Sequence, residues 1–289
     1  MTQNINIGFP ASASVRFLDV MALFYESIPY LSDIGFAGYG SWSINAPAAL
    51  YQNFTTAYTH SFTLLSHNVS QAVSLFQPVL DKLAKLNTTD MTMSTYQESF
   101  DDYGTYFAEK NGTVAPVGGI GVCDNRLLDG PSLTSNTTFL RETLDIIAGT
   151  PEEHTYHSIS LHGGKVFLDA DEALSGVAPA WRKGYVLDII ARTFPEESNG
   201  TAVFEDVRVN KMGAMRALAP NAGSYMNEAD WGNKMWKEDF YGSNWNMLSV
   251  IKRKYDPEGL FYCLTCVGSD EWEEVSSGAL CRVNKTSSC

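Results

Sequence analysis

The chain has 289 residues, 44% of them hydrophobic, enough for one large domain or two small ones with real cores and too apolar for disorder. Asp and Glu number 33 against 20 Lys and Arg, so the net charge is −13 and the pI about 4.7. That balance argues against nucleic acid or an anionic membrane as a partner, because both need surplus cations, and no apolar run approaches the roughly 20 residues that span a bilayer.

Met1-Thr2-Gln3-Asn4-Ile5-Asn6 lacks the basic start and apolar core of a secretion leader. The body nevertheless reads as secretory. Asn53, Asn68, Asn87, Asn111, Asn136, Asn199 and Asn284 begin Asn-x-Ser/Thr sequons, where composition alone would supply about three. Cys123, Cys263, Cys266, Cys281 and Cys289 fit an oxidising compartment, and their odd number leaves at least one unpaired or bonded to another chain. The expectation is a protein of the secretory pathway whose natural N-terminus is missing from this sequence.

In chain order, Val15, Phe17, Leu18, Met21, Phe24, Tyr25 and Ile28 keep helical spacing and predict an amphipathic helix over 13–31. Residues 34–44 and 58–65 read as strands. Val73, Phe76, Val79, Leu80 and Leu83 predict a helix over 71–86 despite Pro78. Residues 94–107, aromatic and acidic, are ambiguous. Gly118, Gly119 and Gly121 resemble a piece of a phosphate-binding loop, but without a strand before and a helix after them they read as a loop or gated entrance.

Residues 132–148 predict a helix capped by Thr134 or Ser135, and 155–168 a hairpin turning at His162-Gly163-Gly164. The apolar run from Tyr185 to Ile190 predicts a buried strand within 180–193, followed by a helix over 201–218. Strands separated by helices without regular βαβ spacing point to an α+β fold, an antiparallel sheet with helices packed on one face.

The C-terminal stretch is dense in aromatics. Leu248, Ile251 and Tyr255 recur at helical spacing, Lys252, Arg253 and Lys254 load the last turn, and Asp256-Pro257 stops the helix. Tyr225 and Asn227, two apart, would project from one face of an extended strand, where a phenol and an amide could address the edge of a flat ligand. Packing at an interface is the plainer role for Tyr225. Glu228 and Asp230 read as caps for a helix beginning near Trp231, or as partners of Lys234. Cys263-Leu-Thr-Cys266 reads as a structural disulfide rather than a thioredoxin-type pair or part of a zinc site. No metal-protease histidine spacing, Gly-x-Ser-x-Gly or Walker loop occurs, and no metal site is expected.

Taken together, Tyr225-Met226-Asn227-Glu228-Ala229-Asp230, Trp236, Phe240-Tyr241-Gly242-Ser243-Asn244, Leu248, Ile251-Lys252, Tyr255-Asp256-Pro257 and Leu260-Phe261 closely resemble the C-terminal signature of the berberine-bridge-enzyme-like FAD-linked oxidases of the vanillyl-alcohol oxidase superfamily. The ending Val267-Gly268-Ser269-Asp270-Glu271-Trp272 and Leu280-Cys281-Arg282-Val283 is similar to the secreted fungal branch, and Ala178-Pro179-Ala180-Trp181-Arg182 is a second resembling patch in the right order.

The resemblance implies a substrate-binding domain over 1–215, a berberine-like segment over 216–268 packed on it and a tail over 269–289, with the FAD-binding domain of such proteins absent here. It implies hydride transfer to FAD from a small organic alcohol or amine, with oxygen as electron acceptor. It assigns Tyr225 as the catalytic residue, and sets Asn227 near the flavin. Tyr241 and Asn244 join Asn227 as flavin-binding candidates, and Trp181 lines the substrate site. Glu228-Ala229-Asp230 stand where many members have Tyr-Arg-Asp, as in fungal members. The alternative is a glycosylated binding or scaffold module that kept the fold and catalyses nothing.

Overall fold

The computed structural model describes residues 1–46, 54–65, 68–86, 89–110, 119–150, 152–169, 175–196, 198–276 and 278–283. Gly118, Cys289 and the sequon asparagines Asn53, Asn87, Asn111 and Asn284 lie outside them.

Strand β1 (Thr2–Phe9) opens the chain, buried except at the half-buried Asn6 and unannounced in the sequence, although Ile5, Ile7 and Phe9 alternate with Asn4, Asn6 and Gly8 as a strand should. Helix α1 (Ser14–Asp33) follows, its buried Phe17, Leu18, Met21, Phe24, Tyr25, Ile28 and Leu31 forming one stripe. Strands β2 (Phe36–Ser43) and β3 (Thr56–Leu64) pair as expected. Helix α2 (Val69–Ala84) starts at Asn68, whose side chain accepts from Gln71 N, and buries Ala72, Phe76, Val79 and Leu83.

The ambiguous stretch resolves into β4 (Thr92–Glu98) and a short helix α3 (Tyr103–Lys110). Residues expected to form a loop are instead strand β5 (Gly121–Asp129): the backbone of β7 passes so close to Gly121 that a Cβ would stand 2.6 Å from Arg192 O. The helix expected over 132–148 is two, α4 (Gly130–Thr134) and α5 (Thr137–Ala148), because Asn136 leaves helical geometry and caps the second through Phe139 N.

The expected hairpin has only its first arm, β6 (Tyr156–Leu161). Gly163 and Gly164, at φ +134° and +64°, turn the chain into the single-turn helix α6 (Lys165–Leu168) instead of a return strand. Strand β7 (Gly184–Thr193) comes next. A continuous helical stretch then runs through α7 (Thr201–Glu205), a π-helical piece at Asp206–Lys211 and α8 (Met212–Leu218). The C-terminal part carries α9 (Trp236–Tyr241), α10 (Trp245–Tyr255) and a small ribbon of β8 (Trp272–Glu274) and β9 (Leu280–Arg282).

Seven strands form one sheet in the order β4-β1-β3-β2-β6-β7-β5, every described pair antiparallel. The fold is the expected α+β. Register assigns the two faces. Ile5, Tyr58, Phe62, Trp42, Ile159, Val186 and Ile190 point to the helix layer of α1, α2, α5 and α8 and form the core. Asn6, Thr59, Ser61, Ser158 and Ile189 point the other way. Against that second face, near β3 and β4, lies the short helix α3, with Tyr106 OH 3.5 Å from Thr63 Oγ1 and Lys110 paired with Glu98.

Polar groups buried under the helices are mostly satisfied. Trp42 Nε1 donates to Tyr25 OH (2.9 Å), Tyr25 OH donates to Asp188 Oδ2 (2.7 Å), and His157, stacked flat on Trp42, meets Asp188 Oδ1 at 3.1 Å and Ile147 O at 3.2 Å. Burial, with the Asp188 charge beside it, raises the Tyr25 phenol well above its ordinary pKa, so it remains a donor.

Candidate active site

The C-terminal part is fastened to β5, the edge strand of the sheet among the described residues. Arg126, fully buried, donates from Nε and Nη2 to Ala219 O and from Nη1 to Asp239 Oδ1 (2.8 Å). Asp239, also buried, accepts further from Arg216 and Asn233, while its carbonyl takes Ser224 N–H. Burial alone would raise the Asp239 carboxyl; the bonds from Arg216, Asn233 and Arg126 outweigh it and hold the group below the usual carboxylate range. Leu127 N–H donates to Gly223 O, so the segment starting there continues the ladder of β5 for one bond.

Gly223 is required by close approach: a Cβ would stand 2.6 Å from Asp239 O and 2.7 Å from Ala180 Cβ. Asn125, also fully buried, then clamps the next residues. Tyr225 N–H donates to Asn125 Oδ1 (2.7 Å), and Asn125 Nδ2 donates to Tyr225 O and Glu228 O (2.9 Å each). Ser224 Oγ donates to Asn125 O (2.7 Å).

The extended strand expected at Tyr225-Met226-Asn227 is therefore replaced by a 3-10 turn over Met226–Glu228, since two carbonyls three residues apart share one amide. The turn still brings the expected pair together: Asn227 Nδ2 donates to Tyr225 OH at 2.9 Å. Trp181, in a 3-10 turn over Pro179–Arg182, meets the Tyr225 ring edge to face at 5.5 Å between centroids and His162 at 4.9 Å. His162 lies 2.8 Å through Nε2 from Ser160 Oγ, and burial pushes its imidazole below the ordinary value, so it is neutral at neutral pH. A cleft of about 350 Å³ opens beside this row, lined by Ser32, Phe36, Leu161, His162, Val166 and Trp181.

The structure thus assembles Trp181, Tyr225 and Asn227 and adds His162, Ser160 and Asn125, none of which the sequence singled out for the site. Ser160 pairs across the ladders with Tyr39 and Leu187, which puts it on the face away from the helix layer. Tyr241 and Asn244 stand behind the row with the Tyr241 hydroxyl and the Asn244 amide nitrogen committed. Tyr241 OH donates to Thr265 O (3.0 Å) among the rings of Trp236 and Trp245, and burial raises its pKa; Asn244 Nδ2 donates to Val177 O (2.9 Å) and holds the approach to Trp181.

Asp230 neither caps a helix at Trp231 nor pairs with Lys234. Helix α9 starts only at Trp236, and the Asp230 carboxylate takes both Arg208 Nε and Nη2 from the π-helical piece while accepting Gly232 N–H. Nearby, burial pushes Asp124 up to about 7, against the bond from Asn125 N. Burial also raises the Cys123 thiol, helped by Asp124, Glu228 and Asp230, which makes it a poor nucleophile. Cys263 and Cys266 are joined in a disulfide.

Residues 224–265 match the family described as "Berberine and berberine like". FAD-linked oxidoreductase apf9 of Gibberella fujikuroi is 40% identical over 294 residues, covering 97% of this chain and 49% of that protein; FAD-linked oxidoreductase hmp9 of Hypomyces subiculosus is 34% identical, covering 92% and 42%. Among solved structures, the VAO-type flavoprotein MtVAO713 of Myceliophthora thermophila C1 superposes with a TM-score of 0.92 at 31% identity, covering 98% of this chain and 50% of that one. Berberine bridge enzyme itself, at 13% identity and a TM-score of 0.59, shares the fold.

Sheet and berberine-like segment are therefore those of the VAO type of flavoproteins. Within that class the chain belongs with the berberine-like FAD-linked oxidoreductases. The chain spans about half the length of the curated relatives it matches.

Proposed function

We propose that this chain forms the substrate-facing wall of an FAD-dependent oxidoreductase that oxidises a small organic alcohol or amine, with oxygen as the electron acceptor. The observation that carries this reading is the row His162, Trp181, Tyr225, Asn227 at the end of a sheet face that no described helix layer covers. The flavin, when bound, would accept the hydride from the substrate carbon.

The residues present fit such a group. Asn227 spends its amide nitrogen on Tyr225 and keeps its carbonyl oxygen for a ring N–H, and the flat flank of Trp181 suits a planar substrate or ring. Tyr225, once its phenol has released its own proton, is the group placed to take the proton of the substrate hydroxyl or amine as the hydride departs. Asn125 fixes the Tyr225 backbone on both sides, so the phenol is held by the strand and not by a loop alone. Trp181 and His162 wall the site and orient the substrate. Tyr241 and Asn244 act one layer behind, holding the turns that present Tyr225 and Trp181.

A second feature supports a larger enzyme. Met247, Val250, Ile251 and Tyr255 of α10, with Leu260 and Phe261 just after it, are exposed. A stand-alone protein would pay in solubility for so continuous an apolar strip, and a partner domain covering it removes that penalty.

The test is the visible absorption spectrum and intact mass of the native protein isolated through this C-terminal region. The reading expects a flavin band on a polypeptide substantially longer than 289 residues. A colourless protein of this chain's own mass plus glycans sinks it and leaves the non-catalytic module. The localisation we propose is the secretory pathway, supported by the sequon excess and the Cys263–Cys266 disulfide.

A further inference from the structure

His162 is fixed more tightly than a turn residue needs to be. Its N–H donates to Tyr185 O (2.8 Å), and its carbonyl accepts from Ser32 Oγ, a buried hydroxyl at the end of α1. Gly163 makes the second bond possible: a Cβ there would stand 2.2 Å from Ser32 Oγ, and its φ of +134° suits only glycine. With Nε2 on Ser160 Oγ at 2.8 Å and the ring edge to face with Trp181, main chain and side chain are both held. What is left over is Nδ1. It has no partner among the described residues and is not sealed from solvent.

The proton on this ring can be placed. Ser160 is buried and its hydroxyl has no other partner among the described residues, so donation from Oγ to Nε2 is the arrangement that strands no buried proton. Nε2 is then the acceptor, and the hydrogen of the neutral imidazole sits on Nδ1. Burial, which lowers the His162 pKa, keeps the ring in that neutral form. The cleft beside the ring thus receives one fixed, uncharged N–H donor. No charged side chain lines that cleft among the described residues, so a carboxylate would lose water there without gaining a counter-ion.

We propose that His162 Nδ1–H binds an uncharged carbonyl oxygen of the substrate, remote from the carbon being oxidised, while the reacting hydroxyl or amine lies at Tyr225. Trp181 touches both rings and offers a flat surface to the planar part of the molecule. The substrate class is then a planar, neutral alcohol or amine bearing a second oxygen as ketone, ester or lactone. Ser160 is a positioning residue, acting through the tautomer of the imidazole. The inference rests on the row being a substrate site and adds which second group is recognised there.

The experiment uses the full-length, flavin-loaded protein and three matched probes: methyl 4-(hydroxymethyl)benzoate, 4-methylbenzyl alcohol and 4-(hydroxymethyl)benzoate. Calorimetry gives the dissociation constants, and stopped-flow absorbance gives the flavin reduction rates separately. The ester is expected to bind about 2- to 10-fold more tightly than the methyl compound, with the carboxylate weakest of the three. His162→Phe keeps a ring beside Trp181 and removes the donor, so the ester's advantage should vanish. His162→Gln, which keeps an N–H, should retain part of it, and Ser160→Ala should reduce it because the ring proton can then move to Nε2. Equal wild-type affinity for ester and methyl compound, an ester advantage that survives His162→Phe, tightest binding of the carboxylate, or no binding of any probe overturns the proposal. Should His162→Phe not fold, an ester advantage untouched by Ser160→Ala overturns it instead. The expected order of affinities without flavin reduction upholds the proposal and sinks the oxidase reading; reduction by all three probes with no order in affinity does the reverse.

Discussion

Two faces of one sheet, a single residue apart in register, have opposite chemistries. Toward the helices, Ile5, Tyr58, Phe62, Trp42, Ile159 and Val186 are all buried. Toward the other side stand Asn6, Thr59, Ser61 and Ser158, half-buried, with Tyr39 and Tyr96 exposed. The ladder that builds the core therefore also builds the site, and a strand such as β6 alternates between the two jobs: His157, Ile159 and Leu161 inward, Ser158 and Ser160 outward. Stability is expected to concentrate on one face and its edges, and function on the other.

The largest effect is expected where the two are joined. Asp239→Ala would leave the Arg126 guanidinium fully buried without its carboxylate and remove the acceptor of Arg216 and Asn233. Breaking a buried pair in this way costs about 3–5 kcal/mol. Denaturant unfolding of the full-length protein should show that loss; a change below about 1 kcal/mol would mean that the carboxylate does not hold the C-terminal segment on β5. Next is Tyr225→Phe, which keeps the ring against Trp181 and deletes the oxygen that Asn227 meets. Loss of a proton acceptor predicts a fall in turnover of about 10²- to 10³-fold with the melting temperature held, read as the rate of substrate-driven flavin bleaching.

The helices and strands easiest to read from the sequence were those whose burial is mostly apolar: α1, β2, β3, α2 and β7. What the sequence hid was decided by partners far along the chain. Strand β5 reads as a loop from the glycines at its start, and only contacts about a hundred residues away explain why Asn125 and Arg126 are buried in its middle. The same distance hid Asn125 as the clamp of Tyr225. His162 was visible only as a turn residue, because its neighbours Trp181 and Tyr225 come from other elements. Tyr225, Asn227 and Trp181 were legible as a group through family resemblance, and the turn that brings the first two into contact was not.

A third test probes a buried polar group left unpaired in the core face. His60 is buried between Ile5 and Gly40 and stacked on Phe62, and neither ring nitrogen has a partner among the described residues. Burial lowers its pKa from 6.5 to about 3. Both states are neutral above pH 6.5, so His60 contributes no pH dependence there. As pH falls from 6.5 towards 3 the unfolded chain binds the proton and the folded one does not, so stability is lost through that window. At pH 5 the loss amounts to about 2 kcal/mol. His60→Leu should flatten the decline between pH 6.5 and 5 relative to wild type; an identical slope would mean that the imidazole finds a partner when charged.

The smallest effect is the one that separates the faces most sharply. Ser158 sits between Ser41 and Ile189 on the open face, beside Ile159, which points into the core. Ser158→Ala removes a half-buried hydroxyl for which no partner is seen among the described residues, so stability should change by less than about 0.5 kcal/mol. If that face meets substrate, the lost hydroxyl is worth about 0.5–1.5 kcal/mol of binding, a rise in KM of about 2- to 10-fold at unchanged kcat. An unchanged KM, alongside the loss at Tyr225→Phe, would confine the site to the row from His162 to Asn227 and make the rest of the open face a bed for the covering domain, because a hydroxyl facing protein is felt in stability and one facing substrate is felt in binding.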